Sequence, residues 1–212
     1  MHCVKGGLFI TFEGPEGSGK STQIHLLEQH LTDAGCHVLT TREPGGTPLA
    51  EHLRGLLMSF SEEGITPLCE LLLFAAGRAQ HMEKRILPLL AQGGVVLCDR
   101  FCDSTMAYQG YARGMDKNVI KLLNDNVLGI RMPDRTFVLD IPVEESIRRT
   151  TQRDGADADR FAAEKRAFHE KVRHGFLSIA EAEPTRVRVI DGMASREQIA
   201  EIIWEDVRHA LD

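Results

Sequence analysis

The chain has 212 residues, a length that fits one α/β domain with a substantial buried core. Its hydrophobic fraction is 42 %, its charged fraction is 26 % and its formal net charge is −6, all ordinary for a globular protein. The acidic balance argues against a nucleic-acid partner but leaves room for a small anion, and the sequence has neither a signal peptide nor an apolar run long enough to span a membrane.

The first half of the chain alternates strand and helix patterns. Short apolar runs predict strands at 8–13 and 37–41, and apolar residues at helical spacing predict a helix at 20–34 that ends at Gly35. Thr47-Pro48 and Thr66-Pro67 are typical of helix starts, which predicts helices to about Met58 and to about Ala91.

The second half continues the alternation. Strands are predicted at 95–99, 135–140 and 186–190, and helices at 104–111, 117–128, 143–153, 161–182 and 195–211. Ser195 and Gln198 have the spacing of a capping box at the start of the last helix. Strands alternating with helices predict an α/β fold with a five-stranded, mainly parallel sheet covered on both faces, in a single domain over residues 1–212.

Residues 14–21 fit the phosphate-binding pattern GxxxxGK[ST] and lie between a predicted strand and a predicted helix, the setting that makes the pattern credible. Glycines let backbone N–H groups surround phosphate oxygens, the lysine supplies a charge for the β- and γ-phosphates, and the serine hydroxyl can bind Mg²⁺. The predicted ATP-binding residues are Gly14, Pro15, Glu16, Gly17, Ser18, Gly19, Lys20 and Ser21. A loop of this kind implies a nucleoside triphosphate with Mg²⁺ but does not specify the reaction.

Polar residues follow several predicted strands, where parallel sheets collect ligands. Asp99 follows the third strand and is well placed to hold Mg²⁺ together with Ser21, and Arg100 beside it could clamp a phosphate. An Asp–Arg surface ion pair is the alternative for these two residues. Arg42 and Glu43 could hold an anion and a polar edge, or belong to a surface turn. Asp140 is expected to join them.

Several segments, in this order and spacing, resemble the thymidylate kinase family. They are Phe-Glu-Gly-Pro-Glu-Gly-Ser-Gly-Lys-Ser at 12–21, Thr-Arg-Glu-Pro-Gly-Gly-Thr at 41–47, Leu-Phe-Ala-Ala-Gly-Arg-Ala-Gln-His at 73–81, Asp-Arg-Phe at 99–101 with Ser-Thr-Met-Ala-Tyr-Gln-Gly at 104–110, and Pro-Asp-Arg-Thr-Phe-Val-Leu-Asp at 133–140. The resemblance covers most of the chain and implies a P-loop kinase fold and the transfer of the γ-phosphoryl group of ATP to dTMP.

The resemblance also implies roles for individual residues. Glu16 matches the carboxylate that reaches the sugar 3′-hydroxyl, and Tyr108 lies in the block that disfavours a 2′-hydroxyl. Phe74 matches the aromatic that stacks on thymine, and Arg78 the arginine that bonds a base carbonyl. The other implied substrate contacts are Arg54 and Arg100 to the monophosphate and Ser104, Thr105 and Gln109 to the base. Gly77 departs from the Asp that often precedes this arginine in the family, which predicts a more loosely oriented Arg78.

The loop at 14–21 has no internal arginine, so the resemblance is to bacterial-type members, whose catalytic arginine belongs to a lid. We expect a mobile lid at about 149–160. The candidates are Arg149, Arg153 and Arg160, with Arg153 favoured and Arg160 next. The predicted catalytic residues are Lys20, Asp99, Arg100 and Arg153.

The resulting hypothesis is a dTMP kinase with ATP as co-substrate and Mg²⁺ as cofactor. The family further implies a homodimer, and five cysteines without zinc-type spacing favour reduced thiols and a cytoplasmic location. Two alternatives stay open: a kinase for another nucleoside monophosphate or deoxynucleoside, and a non-catalytic P-loop protein that binds nucleotide for regulation.

Overall fold

A computed structural model of the chain describes residues 6–129, 131–154 and 159–211. Its five strands are β1 (Leu8–Glu13), β2 (Val38–Arg42), β3 (Val95–Asp99), β4 (Arg135–Asp140) and β5 (Val187–Asp191). Its helices are α1 (Lys20–Asp33), α2 (Pro48–Met58), α3 (Pro67–His81), α4 (Leu87–Ala91), α5 (Cys102–Thr105), α6 (Lys117–Leu128), α7 (Val143–Asp154), α8 (Arg166–Ala182) and α9 (Arg196–Arg208). Two π-helical turns, Met82–Ile86 and Met106–Ala112, continue α3 and α5.

The strands form one all-parallel sheet in the order β2-β3-β1-β4-β5, which confirms the predicted fold class. All six residues of the central strand β1 are buried, as expected for a strand covered on both faces. Asp99 at the end of β3 is in register with Phe12 of β1 and Arg42 of β2. The loops that follow these three strands therefore lie close together at the carboxyl end of the sheet.

Helices cover both faces of the sheet. On one face α1 and α9 pack their apolar residues, such as Leu31 and Ile203, against Phe12, Leu97 and Phe137. The other face is covered by α4, α8 and the two π-helical turns in two further apolar clusters. This packing buries the sheet on both faces and fixes the strands from which the site is built.

The predicted strands are confirmed, with β2 and β5 each displaced by one residue toward the C-terminus. The helix predicted at 67–91 is interrupted by the π-helical turn Met82–Ile86, and the one predicted at 104–111 begins at Cys102 and becomes π-helical at Met106. The helix predicted at 161–182 begins only at Arg166. The capping box of Ser195 and Gln198 is confirmed.

The described cysteines comprise three free thiols and one disulfide-bonded residue. Cys69, Cys98 and Cys102 are free thiols, as predicted, whereas Cys36 is disulfide-bonded and contradicts the expectation that all the thiols are reduced. Across residues 6–129, 131–154 and 159–211, no helix is long and apolar enough to cross a bilayer.

Candidate active site

The loop at 14–21 joins β1 to α1 as the sequence predicts. Gly14 has φ +125°, and a Cβ there would lie 2.4 Å from the carbonyl oxygen of Leu139. Gly17 has φ +70°, and its Cβ would lie 3.0 Å from Cβ of Arg149, so helix α7 approaches the loop closely only because this residue is glycine. Ser146 on α7 also donates a 2.6 Å hydrogen bond to the carbonyl oxygen of Glu16.

Lys20 lies almost fully buried at the start of α1, with Nζ 3.1 Å from the carbonyl oxygen of Pro15. Burial lowers the pKa of Lys20, and the nearby Arg100 lowers it further. The Ser18 hydroxyl is buried and makes no hydrogen bond within the described chain. Lys20 lines the cavity described below, whereas Ser18 does not.

Ser21 and Asp99 are brought together at the mouth of this loop. The Ser21 hydroxyl donates a 3.1 Å hydrogen bond to Oδ2 of Asp99. Mg²⁺ takes oxygen ligands and is commonly held by one or two protein groups together with substrate phosphates and water. The pair fits such an ion, and no group of three or more His, Cys, Asp or Glu in the described residues forms a protein-only metal cage.

Arg100 occupies the centre of the site in a left-handed backbone conformation, with φ +67°. Its guanidinium donates a 2.7 Å hydrogen bond to Glu16 and a 3.1 Å hydrogen bond to the Ser104 hydroxyl. Burial opposes a charge here, but Tyr108, Glu16 and Glu13 outweigh it and raise the pKa of Arg100. Arg100 is therefore a permanent cation between the phosphate loop and α5.

Glu13 holds the backbone that follows Arg100. The last residue of β1 is fully buried, and its Oε1 accepts hydrogen bonds from the backbone N–H of Phe101 and of Ser104. Burial, followed by the charge of Asp103, raises the pKa of Glu13 from its usual 4.5 to about 7. Asp103 itself is held by Arg186 through two hydrogen bonds of 2.7 and 2.9 Å.

Arg78 is held by four groups from different parts of the chain. Nε donates to Glu43 at 2.7 Å, and Nη1 donates to Asn124 at 3.1 Å. Nη2 donates to the Thr105 hydroxyl at 2.8 Å and to the carbonyl oxygen of Phe101 at 3.3 Å. The prediction that Gly77 leaves Arg78 loosely oriented is therefore wrong, because Glu43 supplies a carboxylate from the loop after β2.

A cavity of about 410 Å³ opens between the phosphate loop and helices α2, α3 and α5. Its volume lies in the range of small-molecule sites. The aromatic side of the cavity is made by Phe74, Tyr108 and Phe161, with ring centroids of Phe161 6.0 Å from Phe74 and 5.8 Å from Tyr108. All the predicted substrate-binding residues line it: Glu16, Arg54, Phe74, Arg78, Arg100, Ser104, Thr105, Tyr108 and Gln109. Lys20, Ser21 and Asp99 line the same cavity.

Two predicted neighbours of the site lie elsewhere. Asp140 does not line the cavity, because Arg173 on α8 engages its carboxylate through two hydrogen bonds of 2.7 Å. Arg160 also points away from the phosphate loop, with Nη1 2.6 Å from Glu70 and Nε 3.1 Å from the carbonyl oxygen of Leu57. Both residues form ion pairs with distant side chains, and no sequence pattern predicts those partners.

Among the lid candidates, Arg149 reaches the phosphate loop. Its Nη1 donates a 3.1 Å hydrogen bond to the carbonyl oxygen of Gly17, and its Nε is held by Glu145 at 2.6 Å. The side chain of the favoured candidate, Arg153, lies outside the described residues, as do residues 155–158 of the lid.

Sequence reasoning missed several residues that line or support the cavity. Asp159, at the described end of the lid, and Phe161 just after it line the cavity, and Glu70 holds the Gln109 amide. Glu43, for which the sequence left a site residue and a surface turn open, holds Arg78. The only sequence signal for Glu70 is a charged residue in an otherwise apolar run at 68–76.

Known proteins resemble this chain over nearly its full length. The family model described as thymidylate kinase matches residues 12–203. A thymidylate kinase of Citrifermentans bemidjiense is 46 % identical over 209 residues, which cover 97 % of this chain and 93 % of that protein. A thymidylate kinase of Geotalea uraniireducens is 51 % identical over 190 residues, which cover 88 % of this chain and 89 % of that protein.

A solved structure has the same fold. The crystal structure of thymidylate kinase from Ehrlichia chaffeensis superposes with a TM-score of 0.77 at 40 % sequence identity. The match covers 96 % of this chain and 99 % of that one.

Proposed function

This chain belongs to the thymidylate kinase family, and from that premise we infer that it transfers the γ-phosphoryl group of ATP to dTMP, giving dTDP. The observation that carries the inference is the shared cavity: the phosphate-loop lysine Lys20 and every predicted acceptor contact line one space. Donor and acceptor phosphates could therefore meet in it without water between them.

The phosphate loop would hold the donor. Its backbone N–H groups and the start of α1 suit the phosphates of ATP, and Lys20 supplies a cation that needs no rearrangement when charge develops on the transferring group. Gly17, Gly19 and Lys20 line the cavity, which supports this assignment. Ser21 and Asp99 would hold Mg²⁺, which when bound bridges phosphate oxygens and neutralises developing charge.

The acceptor would lie between Arg100 and Phe74. Arg100 and Arg54 would take the monophosphate, and the half-buried Phe74 offers a face to the base. In this structure Glu16 is paired with Arg100, so we propose that the incoming phosphate takes over Arg100 while Glu16 turns to the sugar hydroxyl. The attacking oxygen is already anionic, so positioning and charge neutralisation suffice without a strong general base.

The chain is further proposed to close a lid at about 149–160 over the transferring group, as one domain over residues 1–212. The sequence favours Arg153 as the lid cation, and the contact of Arg149 with Gly17 supports adding Arg149 to it. A closed lid would exclude water and suppress hydrolysis of ATP.

A homodimer in the cytoplasm, without nucleic acid or membrane as partner, completes the proposal. Large apolar side chains exposed on α2, α3 and α6 support a subunit interface. The net charge of −6 supports the absence of a nucleic-acid partner.

Steady-state assays with ATP and each deoxynucleoside monophosphate test the function. We expect dTMP to give the highest kcat/KM, and Lys20→Ala to lower kcat by about 10²–10³-fold while the protein stays folded. Faster turnover of dUMP, dCMP or dGMP would move the enzyme to another acceptor. ATP binding without ADP formation on adding dTMP would favour the regulatory alternative.

A further inference from the structure

The side-chain amide of Gln109 is held in one orientation by a buried carboxylate. Glu70 on α3 is 1 % exposed, and its Oε1 accepts a 2.7 Å hydrogen bond from Nε2 of Gln109. A carboxylate accepts hydrogen bonds and has no proton to donate, so the nitrogen of the Gln109 amide must face it. The orientation of this amide therefore follows from the chemistry of its partner rather than from its shape.

Two arginines balance the charge of Glu70. Arg160 forms an ion pair with Oε2, with its Nη1 at 2.6 Å, and Arg113 donates to Oε1 at 3.3 Å and to Oε2 at 3.5 Å. Glu164 in turn accepts a 2.6 Å hydrogen bond from Arg113, so the cluster contains two cations and two anions. A carboxylate so enclosed has no freedom to leave Gln109 for another partner.

The oxygen of the Gln109 amide remains available to a molecule bound in the cavity. Gln109 is 1 % exposed and lines the cavity, yet no donor among the described residues bonds to its Oε1. Arg78, which carries only donors, lines the same cavity beside Thr105. The site thus offers a fixed acceptor and a fixed donor to the edge of a base.

These two groups match one pyrimidine edge and oppose another. Thymine presents O4 as an acceptor and N3–H as a donor, whereas cytosine presents a 4-amino donor and N3 as an acceptor. With Gln109 fixed, cytosine would set donor against donor at Arg78 and acceptor against acceptor at Oε1. Buried mismatches of this kind are how sites reject a near isostere.

We propose that Glu70 is the positioning residue that sets the base preference of the acceptor site, by holding the Gln109 amide with its oxygen toward the base. The proposal rests on the proposed function, because it takes the occupant of the cavity to be a nucleoside monophosphate. Glu70 does not touch the substrate and acts only through Gln109.

The test is the ratio of kcat/KM for dTMP to kcat/KM for dCMP in the full-length enzyme. Glu70→Gln keeps the size of the side chain but can donate as well as accept, so the Gln109 amide becomes free to flip. We expect the ratio to fall at least tenfold, through weaker use of dTMP and better use of dCMP. If Glu70 were needed only for structure or for anchoring the lid, its substitution would lower kcat/KM for dTMP and for dCMP equally and leave the ratio unchanged.

Glu164→Gln is the matched control, since it weakens the same ion cluster at Arg113 without contacting Gln109. Its ratio is expected to stay within twofold of the wild type. A folded Glu70→Gln with an unchanged ratio, or an equal fall in Glu164→Gln, would overturn the proposal. If Glu70→Gln does not fold, Glu70→Asp keeps the charge but withdraws it from Gln109, and a ratio unchanged in that variant also overturns the proposal. A wild type without dTMP kinase activity would instead defeat the proposed function.

Discussion

Glu13 shows at the scale of one residue how folding changes acidity. Its carboxylate accepts a hydrogen bond from the backbone N–H of Phe101, the residue after Arg100. Burial disfavours the charged form of this carboxylate and raises its pKa from 4.5 to about 7. Between these two pH values the folded chain binds this proton while the unfolded chain has released it. The contribution of Glu13 to stability is therefore largest below pH 4.5 and declines as the pH rises to about 7.

Glu13→Gln should remove this pH dependence. At about 1.4 kcal/mol per pKa unit, the wild type should lose roughly 3 kcal/mol relative to the variant between pH 4.5 and 7. Denaturant unfolding of both proteins at several pH values measures the difference, in which titrating groups that do not interact with Glu13 cancel. A difference that stays flat across this range would mean that Glu13 ionises normally in the fold.

Some residues of the site could be predicted from the sequence and others could not. The phosphate loop is contiguous, so Lys20 and Ser21 could be assigned from one motif, and the acceptor contacts could be assigned by resemblance. Glu43 and Glu70 were missed as supports because each acts through a partner more than thirty positions away, which no local pattern encodes. For the same reason Gly77 suggested a loose Arg78 although Glu43 holds it.

At the scale of elements, the strands were predictable and the π-helical turns were not. Buried parallel strands are short apolar runs, and β1, β3 and β4 have the predicted bounds. Apolar spacing cannot distinguish an α-helix from a helix with one wide turn. Pro88 lacks an N–H and crowds the preceding turn, which accounts for the π-helical turn Met82–Ile86 just before it.

Helix α7 places two adjacent arginines in opposite settings. Arg149 contacts the carbonyl oxygen of Gly17 in the phosphate loop, whereas the exposed Arg148 pairs with Glu145 and Gln152. We expect Arg149→Ala to lower kcat by about 10²-fold with little change in KM for dTMP, because a cation is lost where charge develops. Arg148→Ala is the control and should keep wild-type kinetics.

Arg153→Ala belongs in the same series of kinetic measurements. A loss of kcat confined to that variant would assign the lid cation to the residue favoured by the sequence and leave Arg149 as a support of the loop. Equal, wild-type kinetics in all three variants would contradict a catalytic arginine on α7.

At the scale of the whole molecule, several large apolar side chains of the folded chain stay exposed on three helices, of which α3 contacts both α2 and α6. Each of these helices carries two of them: Leu49 and Leu56 on α2, Leu68 and Leu72 on α3, and Val119 and Leu122 on α6. Exposed apolar side chains on neighbouring helices are consistent with the proposed subunit interface.

Leu122→Glu tests the proposed dimer at little cost to the fold, since this side chain is 63 % exposed. Sedimentation should show the wild type at twice the mass of the chain and the variant at the monomer mass. Val189→Glu, an exposed apolar position on β5, should remain dimeric. A wild type that sediments as a monomer at micromolar concentration would contradict the proposed assembly.

The central position of β1 has a consequence for biosynthesis. This strand is made first, but its neighbours are β3 and β4, and the hydrogen bond from Phe9 to Asp134 joins residues 125 positions apart. A nascent chain therefore carries an apolar segment without both pairing partners until β3 and β4 have also left the ribosome. We expect the sheet to form late and as a unit, with residues 8–13 open to contacts with other molecules during translation.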